Sequence, residues 1–244
     1  MSRRLLVCLV AAAVLAAGCG SDAREASPGS VVDPADAVVS IATRGCGDGL
    51  LTGLGVVLDD GRILTAAHVV AGATSVEVVH RSGASSVGDL MALDPGRDLA
   101  VLAVDAGDGP HTGLELGTLA EGQHAVVHGR GETLEAEVTR RLTMRAPDIR
   151  LEQEAERRVL ELTVSVSPGW SGAPVLDRDG RVGGVVVAAS DDHAYAADES
   201  EIRVVLDATG SGPVDSGDCA VIAVYECSLL GEVRVAPMCD RPVG

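Results

Sequence analysis

One histidine, one aspartate and one serine stand at the borders of short apolar runs, where a fold can aim a polar side chain into a cleft. His68 ends one such run, Asp98 directly precedes another, and Ser171 lies in a glycine-rich turn. A serine hydroxyl is a poor nucleophile at neutral pH and needs a base within hydrogen-bond reach. Histidine can accept and return the proton, and a buried aspartate fixes the histidine tautomer. These residue types predict acyl transfer, provided that the fold brings the three together.

The turn that carries the serine has a composition suited to binding an oxyanion. It reads Ser-Pro-Gly-Trp-Ser-Gly-Ala-Pro-Val over residues 167–175. Its glycines allow backbone N–H groups to converge on a developing negative charge without a Cβ in the way. Removing one such donor typically costs about 2.7–4 kcal/mol of transition-state stabilisation in comparable hydrolases. The turn is therefore the expected nucleophile loop.

Short apolar runs separated by turn signals make up most of the chain, and this favours strands over helices. The runs lie at 37–43, 53–58, 63–65, 75–80, 99–104, 125–128, 159–166 and 182–189. Hairpin turns are predicted between runs at 59–62 and 177–180. Strands this short and this frequent predict an all-β fold of barrels or a sandwich rather than a parallel sheet.

Two segments have a helical pattern. Residues 66–71 could form a single turn. The segment 198–208 is a better candidate, because Asp198 can cap it and Glu201 follows three residues later. The apolar side chains of this segment share one face. They are Ile202, Val205 and Leu206.

The composition permits a buried core and argues against nucleic acid as a partner. Hydrophobic residues make up 46% of the 244 residues, but aromatic residues only 1%, so Val, Leu, Ala and Ile must form the core. The formal net charge is −17. Such a surface repels nucleic acid and favours solubility.

The N-terminus has the pattern of an export signal. Arg3 and Arg4 precede an apolar run at 5–17, which is too short to span a bilayer as a helix. The run ends in Leu-Ala-Ala-Gly-Cys at 15–19, which resembles a bacterial lipobox. We therefore expect a lipoprotein signal peptide over 1–18, an acylated Cys19 and a flexible tether over 19–36. An ordinary secretory peptide is the alternative.

The segments around the three candidate residues resemble the TAAH, DxA and GxSGxP motifs of trypsin-like serine proteases. They read Thr-Ala-Ala-His at 65–68, Asp-Leu-Ala at 98–100 and Gly-Trp-Ser-Gly-Ala-Pro at 169–174. The short spacing resembles the bacterial HtrA-like branch and, within it, the MarP-type proteases. Residues 145–149, 184–192 and 213–219 add to this likeness, which covers roughly residues 37–220.

The resemblance implies a role for each matched position. Ser171 would be the nucleophile, His68 the general acid and base, and Asp98 the residue that orients His68. The N–H groups of Gly169 and Ser171 would form the oxyanion hole. The expected substrate-binding residues are Ser165, Trp170, Val185, Val186, Val187, Ala188 and Ala189. Substrate backbone would pair with the last five, and small side chains there imply small or medium apolar P1 residues.

Two positions of the serine turn depart from the family pattern. Trp170 stands where Asp or Asn is usual, and its ring could narrow the cleft or hold the loop closed. Ala173 stands where Gly is usual and adds one methyl group to a tight turn. Neither change removes an atom of the expected triad.

Four cysteines remain once Cys8 leaves with the signal and Cys19 is acylated. An even number in an exported chain predicts disulfides, and four cysteines allow three pairings. The resemblance favours Cys46–Cys219 and Cys227–Cys239. The chain has no CxxC pair, and His124 and His128 lie too far apart on a strand to share a metal. No metal, ATP or other cofactor site is expected.

The fold expected from the resemblance is two antiparallel six-stranded β-barrels with the active site in the cleft between them. The protease domain would span 37–220, with barrels at 37–110 and 111–197 and a helix at 198–208. The remaining 221–244 form a cysteine-containing tail that is too short for a PDZ-like module.

The expected function is that of a serine endopeptidase acting on exported or envelope proteins through an acyl-enzyme. Its partners would be protein or peptide substrates and, through the lipid, the outer face of the cytoplasmic membrane. One alternative is a weakly active or inactive lipoprotein of the same fold that binds peptides without cleaving them. Another is a structural, disulfide-rich envelope lipoprotein, which would not need the three residues to meet.

Overall fold

The computed structural model describes residues 33–45, 49–105 and 113–217 in full, and the backbone alone of 223–227 and 233–237. All of them belong to one compact unit, residues 32–244. The predicted signal peptide and most of the tether lie outside the described residues. None of the helices in the described parts of the chain is both long and apolar enough to cross a membrane.

The first half of the chain forms a seven-stranded antiparallel sheet after a 3-10 turn at Pro34–Asp36. Its strands are β1 (Val38–Arg44), β2 (Leu50–Val57), β3 (Ile63–Ala66), β4 (Ser75–Val79), β5 (Ser85–Val87), β6 (Asp89–Asp94) and β7 (Leu99–Ala103). They are ordered β5-β4-β1-β2-β3-β7-β6. The central strands β3 and β7 are almost wholly buried, which explains their unbroken apolar sequences.

The register of this sheet brings His68 and Asp98 close together. Strand β3 pairs with β7 so that Ala66 lies opposite Leu99. One helical turn, α1 (Ala67–Val70), follows β3 and carries His68, while Asp98 immediately precedes β7. The histidine and the aspartate are thus neighbours across the ends of two paired strands.

The second half forms an eight-stranded sheet with a closed ring inside it. Its strands are β8 (His124–His128), β9 (Thr133–Pro147), β10 (Glu154–Leu162), β11 (Pro174–Leu176), β12 (Val182–Ala189), β13 (Ala194–Asp198), β14 (Ala223–Cys227) and β15 (Val233–Pro237). They are ordered β11-β8-β9-β10-β13-β12-β14-β15, and β11 also pairs with β12. That extra pairing closes six strands into a ring, to which β14 and β15 are appended.

The expectation of an all-β fold with two sheets is correct, but the two six-stranded barrels need correction. The first sheet has seven strands, and among the described residues no ladder joins its edge strands β5 and β6. The second contains a six-stranded ring and one parallel pairing, between β12 and β14. The charged segment 152–158 lies mostly within β10.

Two apolar cores hold these sheets. One lies inside the six-stranded ring, where it includes Leu160, Val175 and Val186, and it extends to Val38 and Leu54 of the first sheet. The other joins the first sheet to the outer face of the ring and to helix α2 (Glu199–Asp207). The buried face of α2 carries the expected apolar residues, Ile202, Val205 and Leu206. Burial of such aliphatic side chains stabilises a fold by about 1.5–3 kcal/mol each.

Candidate active site

His68 and Asp98 form a hydrogen-bonded pair. The Nδ1 atom of His68 lies 2.8 Å from Oδ2 of Asp98, and the His68 backbone N–H donates to Oδ1 at 2.9 Å. The aspartate side chain has no exposed surface, whereas that of His68 is 14% exposed. An ionised carboxylate can only accept, so Nδ1 of His68 carries the proton and Nε2 is left as an acceptor. This is the tautomer that a general base requires.

The backbone of Asp98 takes a conformation that fits this role. Its φ is +57°, in the left-handed region that aspartate tolerates better than most residues. Its carbonyl accepts the N–H of Ala67 at 3.1 Å, so main chain and side chain both tie Asp98 to the start of α1. The segment before it is fixed by Arg97, which pairs with Asp94 at 2.8 Å and with Glu201 of α2 at 2.7 Å.

A buried arginine of the second sheet lies beside this pair, and no motif in the sequence marks it. Arg157 of β10 has only 1% of its side chain exposed, and its guanidinium lies 3.9 Å from Oδ2 of Asp98. It also donates to the carbonyl oxygen of Pro147 at 3.2 Å. A cation so close to a buried carboxylate offsets part of the cost of burying that charge. An ion pair between Arg157 and Asp98 therefore links the two sheets.

The serine turn is held against the first sheet by its backbone. The carbonyl of Ser171 accepts the N–H of Leu54 at 2.8 Å. Gly172 has φ +89°, and a Cβ there would collide with the carbonyl oxygen of Leu54 and the hydroxyl of Thr65. A Cβ on Gly53 would lie 2.9 Å from the Ser171 carbonyl oxygen and 2.6 Å from Val69, the neighbour of His68. These close approaches place the main chain of Ser171 beside β2 and near Val69, the residue that follows His68.

Two backbone N–H groups of the turn are available to a ligand. Within the described chain, the N–H groups of Gly169 and Ser171 donate to no backbone or side-chain acceptor. The N–H groups of the residues between and after them are used internally. Trp170 donates to Ser167, Gly172 to Val186 and Ala173 to Trp170. The unused pair contains the two donors expected to form an oxyanion hole.

One contact of the expected triad is open. No hydrogen bond joins the Ser171 hydroxyl to the His68 ring in the parts of the chain that the structure describes. Hydrogen bonds of this kind are often long or poorly aligned in ligand-free enzymes and tighten when substrate binds. Asp98 and His68 are thus paired in the structure, whereas the contact between the Ser171 hydroxyl and the His68 ring is not formed.

The expected substrate-binding strand is partly used by the protein itself. Both backbone polar groups of Val186 bond to the serine turn, and β11 covers β12 only as far as Val185. The valine side chains at 185–187 are buried, while Ala188 and Ala189 are partly exposed. Strand β12 therefore has a backbone edge that β11 does not cover. This edge is on the side of β12 away from β13 and begins at residue 187. Strand β14 pairs with that edge at one position, Ala189 opposite Glu226.

The remaining expected site residues lie around this edge. Ser165 is exposed and donates from its hydroxyl to the carbonyl of Ser190 at 3.2 Å. Trp170 is half-buried, with its ring against Gly129. Ala173 is fully buried, and its methyl group belongs to the core inside the ring. The extra methyl group therefore packs into that core.

The predicted lipidation and disulfides cannot be placed. Cys19, Cys46, Cys219 and Cys239 lie outside the described residues, and only the backbone of Cys227 is described, in β14.

A surface depression of about 790 Å³ lies elsewhere on the second sheet. It is lined by residues 115–118, 122–124 and 177–181 in part, and contains none of the three catalytic candidates. We therefore place the chemistry at the His68–Asp98 pair rather than in that depression.

A family model described as a trypsin-like peptidase domain matches residues 53–185. The chain is 30% identical over 180 residues to the serine protease Rv3671c of Mycobacterium tuberculosis H37Rv, covering 70% of this chain and 45% of that protein. It is 33% identical over 133 residues to a Halomonas elongata protein named for a periplasmic, DegP-like serine endoprotease, covering 53% and 27%. The chain thus spans less than half the length of these curated relatives.

The crystal structure of the active form of the Rv3671c protease has a similar fold. The TM-score is 0.69 at 28% sequence identity, and the match covers 77% of this chain and 87% of that one. The similarity therefore extends through both sheets rather than being confined to the short motifs.

Proposed function

The chain belongs to the family of trypsin-like peptidase domains, and we propose that it is a serine endopeptidase acting through an acyl-enzyme on Ser171. The observation that carries the proposal is the buried Asp98 carboxylate, which accepts two hydrogen bonds from His68. A fully buried aspartate bonded to a partly exposed histidine beside a serine turn has a direct catalytic use.

The proposed reaction begins with proton transfer from Ser171 to Nε2 of His68, as the serine oxygen attacks the carbonyl carbon of the substrate. Asp98 stabilises the imidazolium that forms. The N–H groups of Gly169 and Ser171 donate to the tetrahedral oxyanion. The peptide C–N bond then breaks, and the proton on His68 passes to the leaving amine. Water, deprotonated by His68, then attacks the ester carbonyl. The bond between that carbon and the Ser171 oxygen breaks, His68 returns the proton to Ser171, and the acid product leaves.

The proposed substrate is an extended peptide. Residues 187–189 offer a backbone edge to which such a peptide can add as a strand. The side chains available there are the small ones of Ala188 and Ala189, with the uncharged Ser165 nearby. This environment favours small or medium apolar residues at P1. The export signal expected at 1–18, and the periplasmic relative, support proteins of the bacterial envelope as the substrate pool.

The decisive experiment is labelling of the mature domain with a fluorophosphonate, which reacts with activated serines. We expect labelling of wild type and none in Ser171→Ala. Ser167→Ala is a matched control, because Ser167 is an exposed serine of the same turn and should leave labelling intact. Incubation with a peptide library would then give the P1 preference from the cut sites. Folded wild-type protein that neither labels nor cleaves any peptide would refute the proposal.

The open contact between Ser171 and His68 favours one second candidate, a peptide-binding domain that does not cleave. This candidate predicts that the folded wild type binds members of the peptide library but resists the fluorophosphonate. The endopeptidase proposal predicts both labelling of the wild type and cleavage of library peptides.

A further inference from the structure

The ring of the tryptophan that precedes Ser171 rests on the backbone of another element. A Cβ built on Gly129 would lie 2.6 Å from Cη2, 2.8 Å from Cζ3 and 2.9 Å from Cζ2 of Trp170. Real side chains essentially never come so close, so any residue other than glycine at 129 would displace the ring. The contact involves the outer edge of the indole, and the ring also packs against the core inside the second sheet.

The conformation of Gly129 does not by itself require glycine. Its φ lies outside the left-handed region, unlike that of Gly131 in the same hairpin, which has φ +81° and open space around its α-carbon. The turn therefore explains why residue 131 is glycine, whereas the indole ring of Trp170 explains why residue 129 is glycine. The indole ring of Trp170 occupies the space that a side chain at position 129 would fill.

Gly129 belongs to a firmly held part of the second sheet. It directly follows β8, and its N–H donates to the carbonyl of Glu132 at 2.8 Å to close the β8–β9 hairpin. Strand β8 also pairs with β11, which begins three residues after Ser171. The ring thus ties the serine turn back to a strand that is fixed on both of its edges.

Trp170 lies between the two unused N–H donors of the turn. Its own N–H donates to Ser167 at 3.3 Å, and its carbonyl accepts from Ala173 at 2.9 Å. Gly169 has φ +97° and nothing within 4 Å of the position of a Cβ, so it has neither a side chain nor a close neighbour on that side. The orientation of the Gly169 and Ser171 N–H groups therefore depends on how firmly residue 170 is held.

We propose that the contact between Trp170 and Gly129 is a latch that keeps the serine turn in its oxyanion-binding conformation. The inference rests on the proposed peptidase function and assigns Trp170 as a positioning residue rather than one that contacts substrate. A substrate contact would act mainly on binding and raise KM. A latch acts on an interaction made only in the transition state, so its loss lowers kcat and leaves KM nearly unchanged.

The test uses Gly129→Ala in the mature chain, with peptide kinetics and tryptophan fluorescence as readouts. The added methyl group should lower kcat by about tenfold or more, since only the fraction of molecules with a formed oxyanion hole reacts. KM should stay within about twofold of wild type. Trp170 is the only tryptophan of the chain, so its emission should shift to longer wavelength as the ring leaves the core. Gly210→Ala is the control, because a Cβ at Gly210 meets open space.

A double variant separates the latch from a general loss of stability. Phenylalanine lacks the outer indole atoms that contact Gly129, so Trp170→Phe should leave room for the methyl group of Gly129→Ala. We expect Trp170→Phe to lower kcat modestly and the double variant to be no less active than Trp170→Phe alone. Additive losses, an unchanged kcat in Gly129→Ala, or a rise in KM without a fall in kcat would each overturn the latch.

Failure of the latch and failure of the proposed function give different results. A wild type that neither labels with a fluorophosphonate nor cleaves peptides refutes the peptidase, whatever the variants do. A wild type that is active, beside a folded Gly129→Ala with unchanged kcat, refutes the latch alone. Circular dichroism and thermal unfolding of each variant establish that the molecules being assayed are folded.

Discussion

At the scale of single residues, a charge balance surrounds the candidate triad. Asp98 is fully buried, and its Oδ2 atom lies 2.8 Å from Nδ1 of His68 and 3.9 Å from the guanidinium of Arg157. A buried carboxylate that loses a cationic neighbour keeps its desolvation cost without compensation. Because Arg157 belongs to the second sheet and Asp98 to the first, their attraction also bears on how the two sheets meet.

We expect Arg157→Met to destabilise the fold by about 3 kcal/mol and to lower kcat/KM, because it leaves the Asp98 charge unbalanced. The matched control is Arg158→Met. Arg158 is the next residue of β10, but its side chain is 57% exposed and lies 3.8 Å from Glu201. This change should alter the free energy of unfolding by less than about 1 kcal/mol. Chemical denaturation measures both, and equal effects would contradict the special role of the buried arginine.

The sequence identified the catalytic candidates but not the arginine beside them. His68, Asp98 and Ser171 stand in short motifs with recognisable neighbours, so local pattern suffices to find them. Arg157 lies in a charged run, Glu-Gln-Glu-Ala-Glu-Arg-Arg, whose composition is typical of solvated loops. In β10 the side chains alternate, which buries residue 157 and exposes residue 158. Only knowledge of the strand and of what packs on it separates the two arginines.

At the scale of elements, β9 and β10 are joined by a carboxylate near a bulge in their pairing. Glu161 accepts hydrogen bonds from Thr139 and Arg140, and the register shifts beside it. Hydrogen bonds from the Arg140 guanidinium lower the pKa of Glu161 to about 2, from its usual value of 4.5. This carboxylate therefore binds its proton less readily in the folded chain than in the unfolded chain.

A pH dependence of stability follows from that lowered pKa. The contribution of Glu161 is fully present above its unfolded pKa of about 4.5 and is lost as the pH falls toward about 2. We expect the difference in melting temperature between wild type and Glu161→Gln to be constant near neutrality and to shrink between pH 4.5 and 2.5. Thermal unfolding at several pH values measures it. Glu156→Gln, in an exposed pair with Arg145 on the same two strands, should show little of this trend; an equal trend would contradict the assignment.

The sequence predicted some elements better than others, for local physical reasons. Asp198 accepts the N–H groups of Ser200 and Glu201, the cap expected at the start of α2. Glu201 does not complete a capping box, since its carboxylate turns to the N–H of Arg158 and to Arg97. Strand β9 was missed, because its 15 residues alternate between small apolar and charged side chains rather than forming an apolar run.

At the scale of the whole molecule, the sequence did not predict which strands close the ring of the second sheet. This closure depends on pairings between distant strands, such as β11 with β12, and on how far each pairing extends. Because β11 begins at Pro174, opposite Val185, and Val186 bonds to the serine turn, the edge of β12 is left for another strand from residue 187. The C-terminal strand β14 takes part of that edge, parallel to β12 and opposite Ala189. The tail and a substrate strand would thus occupy the same stretch of backbone.

Removing the C-terminal hairpin should therefore make substrate binding easier. In a chain that ends at Ile222, β14 and β15 are absent and the edge at 187–189 is free, so KM should fall by about threefold or more while kcat changes little. Cys227 and Cys239 are lost together, which leaves the expected Cys46–Cys219 pairing possible. Glu226→Pro in the full chain is an independent variant, since proline disfavours strand pairing without shortening the tail. Steady-state peptide kinetics measure both variants. A KM that is unchanged or higher in both variants would mean that the tail stabilises the β12 edge at 187–189 rather than competing with substrate for it.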